Sequence, residues 1–305
     1  MKASKDIYAD KDGKITDDPL QYASQIAVAG HELDDRVVKR YGIADVHLAK
    51  AWDARRFAEI DPEGFFDFQT TRPQVRLEEG LTRRIDWPET VFYHARPDGL
   101  DRDVVLLLGI EPNLRWRTFT DLVVGLARDL EIELLITLGA LLADVPHARP
   151  APVTGSASDS DLVERLGLSA SRYEGPTGIV GVLHDACGKN GIPSASLWAA
   201  VPHYVSLTPS PKGALALCER LGALIGVDVE ADELEEAAQN YEEQVSEAVA
   251  TDEETASYVD ELERRADQLE ETTDLPSGDA LAAELTRFLR EREQNGGGED
   301  AAREQ

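Results

Sequence analysis

The sequence predicts an α/β protein whose sheet is covered by helices on both sides. Two short runs carry that reading: Val104 to Leu108, bounded by Asp103 and Gly109, and Glu133 to Leu138, ending at Gly139. Runs of this length, apolar almost throughout, are what strands buried on both faces look like. Between them Phe119, Leu122, Val123, Leu126 and Leu130 recur at helical spacing. The whole is a strand–helix–strand unit, and strands alternating with helices define a doubly covered sheet.

The elements follow in order. The first fifty residues hold no persistent period; Ile26 to Ala29 reads as a short strand and Arg36 to Tyr41 as a piece of helix. From Trp52 the signals sharpen. Pro62, Gly64 and Pro73 punctuate a loop-rich stretch holding Phe57, Phe65, Phe66 and Phe68. Glu89 to Ala95 is a strand, followed by the turn Arg96-Pro97-Asp98-Gly99. Beyond the central unit, Ala151 to Thr154 is a short strand, and Ser158-Asp159-Ser160-Asp161 has the Ser-x-x-acid pattern that opens a helix. Ile179, Leu183, Ala186 and Cys187 mark another helix, stopped by Gly188 and Gly191. Ser194 to Val201 is a strand, and Ala214, Leu217, Cys218, Leu221, Leu224 and Ile225 line one face of the next helix.

From Asp228 the character changes: 18 acids and two arginines fall between Asp228 and Glu271. Leu234, Ala238, Tyr241, Val245 and Val249 keep a narrow apolar stripe. A second stripe runs through Val259, Leu262, Ala266 and Leu269 after a capping box at Thr251 to Glu254, and a third helix carries Leu281, Leu285, Phe288 and Leu289. The expected organisation is therefore an atypical N-terminal segment at 1–50, an α/β domain at 51–226, an acidic helical extension at 227–293 packing on that body, and a disordered tail at 294–305.

Composition narrows the function. With 305 residues, 42% hydrophobic and 30% charged, the chain suits a soluble globule of one large domain, or of one domain plus an appendage. No apolar run approaches the roughly 20 residues of a membrane span, and the polar start, Met1 to Asp18, does not resemble a secretory signal. Cys187 and Cys218, both on apolar helix faces, read as reduced, packed thiols of a cytosolic protein. A net charge of −28 repels phosphate backbones and anionic membranes, so neither nucleic acid nor membrane is an expected partner. A solvated acidic coat accounts for the charge most simply; a basic partner is the other account.

The simplest enzyme signatures are missing. The sequence contains no dinucleotide-type glycine turn after a strand, no phosphate-binding Gly-x-x-x-x-Gly-Lys-Ser/Thr loop and no Gly-x-Ser-x-Gly elbow. His147, His184 and His203 lack metal-ligand spacing, so neither metal nor cofactor is expected. What remains is a set of polar residues just after strands, where ligands bind in open α/β sheets. These are Glu111, Asn113 and Trp116 after the first buried strand, His147 and Arg149 after the second, and His203 and Tyr204 after Ser194 to Val201. To them we add Glu174, Thr177 and Gly178 from the stretch Tyr173 to Gly181, where Thr177 could cap a helix and open N–H groups could take an anion. Each has a structural alternative: Glu111 and Asn113 as helix caps, His147 and Arg149 as loop braces, His203 and Tyr204 as a packed corner.

The same stretches resemble the proteasome assembly chaperone family. Gly109-Ile110-Glu111-Pro112-Asn113 with Trp116, Leu138-Gly139-Ala140 leading into Ala143-Asp144-Val145-Pro146-His147-Ala148-Arg149-Pro150, Tyr173 to Gly181, and Ser196-Leu197-Trp198-Ala199 with Pro202-His203-Tyr204 are similar, in this order, to the branch of the second eukaryotic chaperone, in particular its actinobacterial members. The resemblance covers roughly Trp52 to Arg290, including Leu275 to Asp279. It implies a three-layer α/β sandwich resembling nucleoside phosphorylases, a cytoplasmic location, a homo-oligomer of trimeric stoichiometry, and proteasome subunits as partners. It supplies no catalytic set. Two features depart from it. Ala302-Arg303-Glu304-Gln305 is not the hydrophobic–Tyr–any-residue tail by which family chaperones dock into proteasome pockets, and the Trp/Phe-x-Asp-Ala-Gly-like turn that follows the family's first strand is missing before Trp52.

Two functions are expected to compete. One is a binding or assembly factor, and the reading leans to it and away from an enzyme. The other is an enzyme or binding protein for a small anionic, nucleoside- or phosphate-like ligand at the carboxyl ends of the strands, with Arg149 gripping the anion and His147 or His203 handling a proton.

Overall fold

A computed structural model describes residues 43–273, apart from 79–81, 158, 171–173 and 206–208. The expected elements at Ile26 to Ala29, Arg36 to Tyr41, Leu281 to Leu289 and Asn295 to Gln305 lie outside the described residues, as does Tyr173. The chain divides into two compact units between Thr251 and Asp252.

The first unit opens with helix α1 (Ile43–Ala51) and strand β1 (Arg55–Ile60), continues through β2 (Gln74–Glu78), β3 (Thr82–Asp86), β4 (Thr90–Ala95) and β5 (Val104–Gly109), and reaches helix α2 (Trp116–Asp129). Then come β6 (Leu135–Ala143), β7 (Val153–Ala157), α3 (Ser160–Leu166), β8 (Ser169–Ala170), α4 (Ile179–Lys189), β9 (Ser194–Pro202), α5 (Pro211–Ile225) and α6 (Asp232–Ala250). Strands β1, β4 and β5 form an antiparallel sheet in that order, and a second, mixed sheet has the order β6-β9-β7-β8. In the mixed sheet β6 runs parallel to β9 from Leu135 opposite Ser194 to Ala143 opposite Pro202, while β7 is antiparallel to β9.

Helices cover both faces. Val105 and Leu107 of β5 and Leu135 of β6 pack into one core with Leu122 and Leu126 of α2 and Leu183 and Cys187 of α4. Val104 and Leu106 of β5 and Ile136 and Leu138 of β6 pack into the opposite core with Leu48 of α1 and Leu217 and Cys218 of α5. The two apolar strands therefore alternate their side chains between two helical layers, which is why both read as continuously apolar. Leu48 and Leu197 are 1% and 0% exposed, each contributing about 1.5–3 kcal/mol by leaving water.

Several local readings change: the short strand expected at Ala151 to Thr154 runs from Val153 to Ala157, and helix α4 passes through Gly188 to end at Lys189. Strand β6 does not end at Gly139 but runs on to Ala143. Gly139 lies opposite Trp198, and a Cβ there would stand 2.5 Å from the Trp198 ring, so the glycine makes room for an aromatic rather than ending the strand. Helix α3 is capped by Asp159, whose side chain accepts from the N–H groups of Asp161 and Leu162. The stretch taken as loop-rich also carries structure: β1, a 3-10 turn at Pro62–Gly64, and the two-stranded hairpin β2–β3, whose strands pair with each other in register Val75 to Ile85 and Leu77 to Arg83.

The second unit holds helix α7 (Glu253–Thr273). The capping role falls to Asp252 rather than Thr251: its carboxylate accepts from Glu254 N–H at 3.3 Å, and the Thr255 hydroxyl bond holds it below the usual range. Thr251 instead donates to Ala248 at the end of α6. Arg264 and Arg265 both pair with Glu261, at 2.8 and 3.0 Å.

Candidate functional site

The strand-end residues fall into three bonded sets. In the first, Glu111 reaches from the turn after β5 to the start of α4, where its Oε2 accepts from the Ile179 N–H at 2.8 Å. Gly178, the residue preceding the helix, leaves room for this approach: a Cβ there would stand 2.7 Å from the same oxygen, and the Glu111 carboxylate would have to shift. Thr177 does not cap the helix; its exposed hydroxyl lies 3.4 Å from the Gly178 carbonyl. Glu174 is exposed. The helix start that could have taken an external anion already holds an internal carboxylate, favoured there by the unpaired N–H groups and the helix dipole.

The second set is structural. Asn113 Oδ1 accepts from the Asp67 N–H and the Thr71 hydroxyl, both at 2.9 Å, and so ties the turn after β5 to the loop at 67–71. The Trp116 indole N–H donates to the Pro112 carbonyl at 2.5 Å. Between them Arg115 takes a left-handed backbone, φ 55°, and lays its guanidinium over the Phe65 ring at 5.7 Å.

The third set brings four nominated residues together. His147 is 5% exposed. Its backbone N–H donates to the Tyr204 hydroxyl at 2.8 Å, and its Nδ1 lies 2.8 Å from the same oxygen. Its Nε2 lies 3.0 Å from Ser246 Oγ, so both ring nitrogens have a hydroxyl partner. Lys212 donates to the His147 carbonyl at 2.6 Å and to Glu242 at 2.5 Å. His203 stacks edge-on against Tyr204 and pairs with Asp144 at 3.2 Å. Ser210 caps α5 by accepting from Gly213 N–H and bonds the Tyr241 hydroxyl, whose pKa burial pushes up against that bond.

Arg149 joins His147, Ser210, Lys212, Tyr241 and Pro202 around a cavity of about 10 Å³, enough for about one water and no more. A larger open groove of about 350 Å³ lies elsewhere, between Cys218, Gly222, Val227 to Val229 and Ala231, and none of the nominated residues lines it. Burial, with Asp45 and Glu219 nearby, pushes the Cys218 thiol up to about 12, and burial raises Cys187 as well, so both buried cysteines favour the thiol over the reactive thiolate. Among the described residues no group of three or more His, Cys, Asp or Glu could hold a metal. No helix among them is long and apolar enough to cross a membrane.

Sequence reasoning missed Ser246, Lys212, Glu242 and Tyr241, because all four sit on helices whose stripes read only as amphipathic packing. Lys212 offered the one usable signal, a cation at the first turn of α5 followed by an acid-rich helix.

A mixed sheet flanked by helices, with Glu111, Asn113, His147 and Tyr204 bonded internally beyond its strands, defines an α/β domain. The chain belongs to the PAC2 family, whose model matches residues 42–249. It is similar to a PAC2 family protein from Streptomyces avermitilis, 46% identical over 71% of this chain and 91% of that one, with a TM-score of 0.65. It is equally similar to a Mycobacterium tuberculosis proteasome-assembly chaperone homologue, 46% identical over 71% and 92%, with a TM-score of 0.64. An archaeal proteasome activator from Pyrococcus furiosus, 18% identical over 67% and 86% with a TM-score of 0.54, shares the fold. No curated protein matches the chain.

Proposed function

We propose that this chain is a proteasome-assembly-chaperone-like binding factor, cytoplasmic and homo-oligomeric, with a trimer as the stoichiometry the family resemblance implies and proteasome α-subunits as clients. The observation that carries this is the 46% identity to the M. tuberculosis chaperone homologue across 92% of that protein. The closed strand end is consistent with it: a protein working through its outer surfaces has no need of a crevice. The three-layer, nucleoside-phosphorylase-like architecture and the acidic extension at 227–293 belong to the same proposal.

The competing reading, a small anionic ligand at the strand ends, has less support. Glu111 occupies the helix start that such an anion would use, and the cavity beside His147 and Arg149 has room for a water only. Deleting the chain in its native host tests the proposal. Assembled proteasome is expected to fall while free α-subunits accumulate, and an unchanged assembly profile would sink it.

A further inference from the structure

Helix α1 opens at the wall of the larger groove, between α5 and the link at 226–231 that leads into α6. The Cys218 thiol, part of that wall, lies 4.0 Å from the Ala44 carbonyl, and His47 Nε2 lies 2.7 Å from the Glu230 carbonyl of the link. These two contacts hold α1 against the groove, so the chain that leads into Ile43 enters beside it. Ala223, Val227, Val229 and Ala231 make the groove apolar. Its charged residues among the described ones, Glu219 and Asp228, are both acidic and both exposed. Asp45, in the first turn of α1, adds a third carboxyl group close to Cys218. Burial pushes that group up to about 7, and among the described residues no hydrogen bond or ion pair offsets it. A carboxylate withdrawn from water is stabilised by a cation or gives way to its neutral form.

The sequence supplies the complement just before α1. Arg36-Val37-Val38-Lys39-Arg40-Tyr41 carries three cations, two valines and an aromatic, with no acid. In a chain of net charge −28 such a stretch is drawn to an acidic surface. Six residues span at most about 20 Å, so the covalent tether keeps the stretch near the groove at high effective concentration, and a weak contact suffices. The family match begins at residue 42, which leaves this stretch outside the part shared with the family model.

We propose that Arg36 to Tyr41 is an intramolecular strap that docks in the groove of its own chain, its apolar side chains against Val227 and Val229 and its cations against Glu219 and Asp228. The docked strap joins α1 and α5 to the link at 226–231 and so fixes the place from which the acidic helix α6 starts. This inference does not depend on the chaperone reading, and either can fail without the other.

The test is a carbodiimide cross-link on the full chain, in an equimolar mixture of light and isotope-labelled protein, mapped by mass spectrometry. Carbodiimide joins an amine directly to a carboxylate in contact with it. Lys39 is expected to link to Glu219 or Asp228 with both peptides light or both heavy. Links pairing light with heavy would put a second copy in the groove, and a Lys39 that reaches neither acid would leave the groove without its strap; either result overturns the inference. Hydrogen exchange at 226–231 gives an independent reading. The strap variant Lys39→Glu/Arg40→Glu and the groove variant Glu219→Lys/Asp228→Lys are each expected to speed exchange there at least threefold. The chain carrying all four substitutions is expected to return towards the wild-type rate, because the swapped charges attract again. Exchange unchanged in the strap variant, or no slower in the fourfold variant than in the double variants, would overturn the strap. Both acids are exposed, so the groove variant is expected to fold, as circular dichroism checks; should it not, the cross-link and the strap variant decide.

Discussion

The cluster around His147 and the β2–β3 hairpin lie in the same unit and treat their side chains in opposite ways. At the first, polar groups are withdrawn from water and bonded to one another until only a water-sized gap remains. At the second, aliphatic groups that could have formed a core stand in solvent. Buried polar groups that are fully paired fix a conformation and leave little capacity for a ligand, whereas exposed apolar groups are a cost until something covers them. The difference teaches that the two regions invite different tests: stability for the bonded cluster, and association for the exposed hairpin face.

Five substitutions, one of them read through a pH profile, probe that contrast in order of falling effect. Leu197→Ala sets the scale. The side chain is 0% exposed at the centre of β9, and chemical denaturation is expected to show a loss of about 2–5 kcal/mol. Tyr204→Phe leaves the His147 N–H and Nδ1 without their shared partner, so a loss of about 1–3 kcal/mol is expected. A neutral result there would mean the cluster is not the closed brace described. Glu111→Ala uncovers the start of α4, with an expected cost of about 0.5–2 kcal/mol by analogy with lost helix caps. Faster hydrogen exchange in the first turn of α4 should accompany it.

The pH profile belongs to His184, bonded to Thr137 and Ser194 and held below its ordinary pKa by burial. A depressed folded pKa means the unfolded chain takes up the proton first. Stability should therefore fall as pH drops from about 6.5, the ordinary histidine value. His184→Gln should flatten that acid limb of the Tm profile, and an unchanged limb would remove His184 as its cause. Last and smallest, Leu77→Ser on the hairpin should stay within about 0.5 kcal/mol in the isolated chain. A large loss would show that the hairpin packs on its own body.

The body was legible where burial imposed a period. Strand β5 and helix α2 announce themselves because two cores demand apolar side chains on both sides of one and on one stripe of the other. Strand β6 was visible too, but its end was misplaced, since only the register reveals that Gly139 yields space to Trp198. The hairpin is hidden by its own exposure: Val75 and Leu77 alternate with Arg76 and Glu78, a short strand with no buried run to mark it, just beyond a stretch that Pro62, Gly64 and Pro73 make read as loop-rich. At the strand ends the sequence nominated His147, Arg149, His203 and Tyr204, and the fold gathers them. What closes the cluster comes from residues 57 to 99 positions away, and the Glu111 contact with Ile179 spans 68. No local pattern records bonds of that range.

The proposal that this chain binds proteasome α-subunits during assembly is tested most directly by co-purification of the tagged full chain at native expression level. The account predicts α-subunits in the eluate, in excess over the β-subunits of finished particles. An eluate without α-subunits, from cells that contain them, would contradict it.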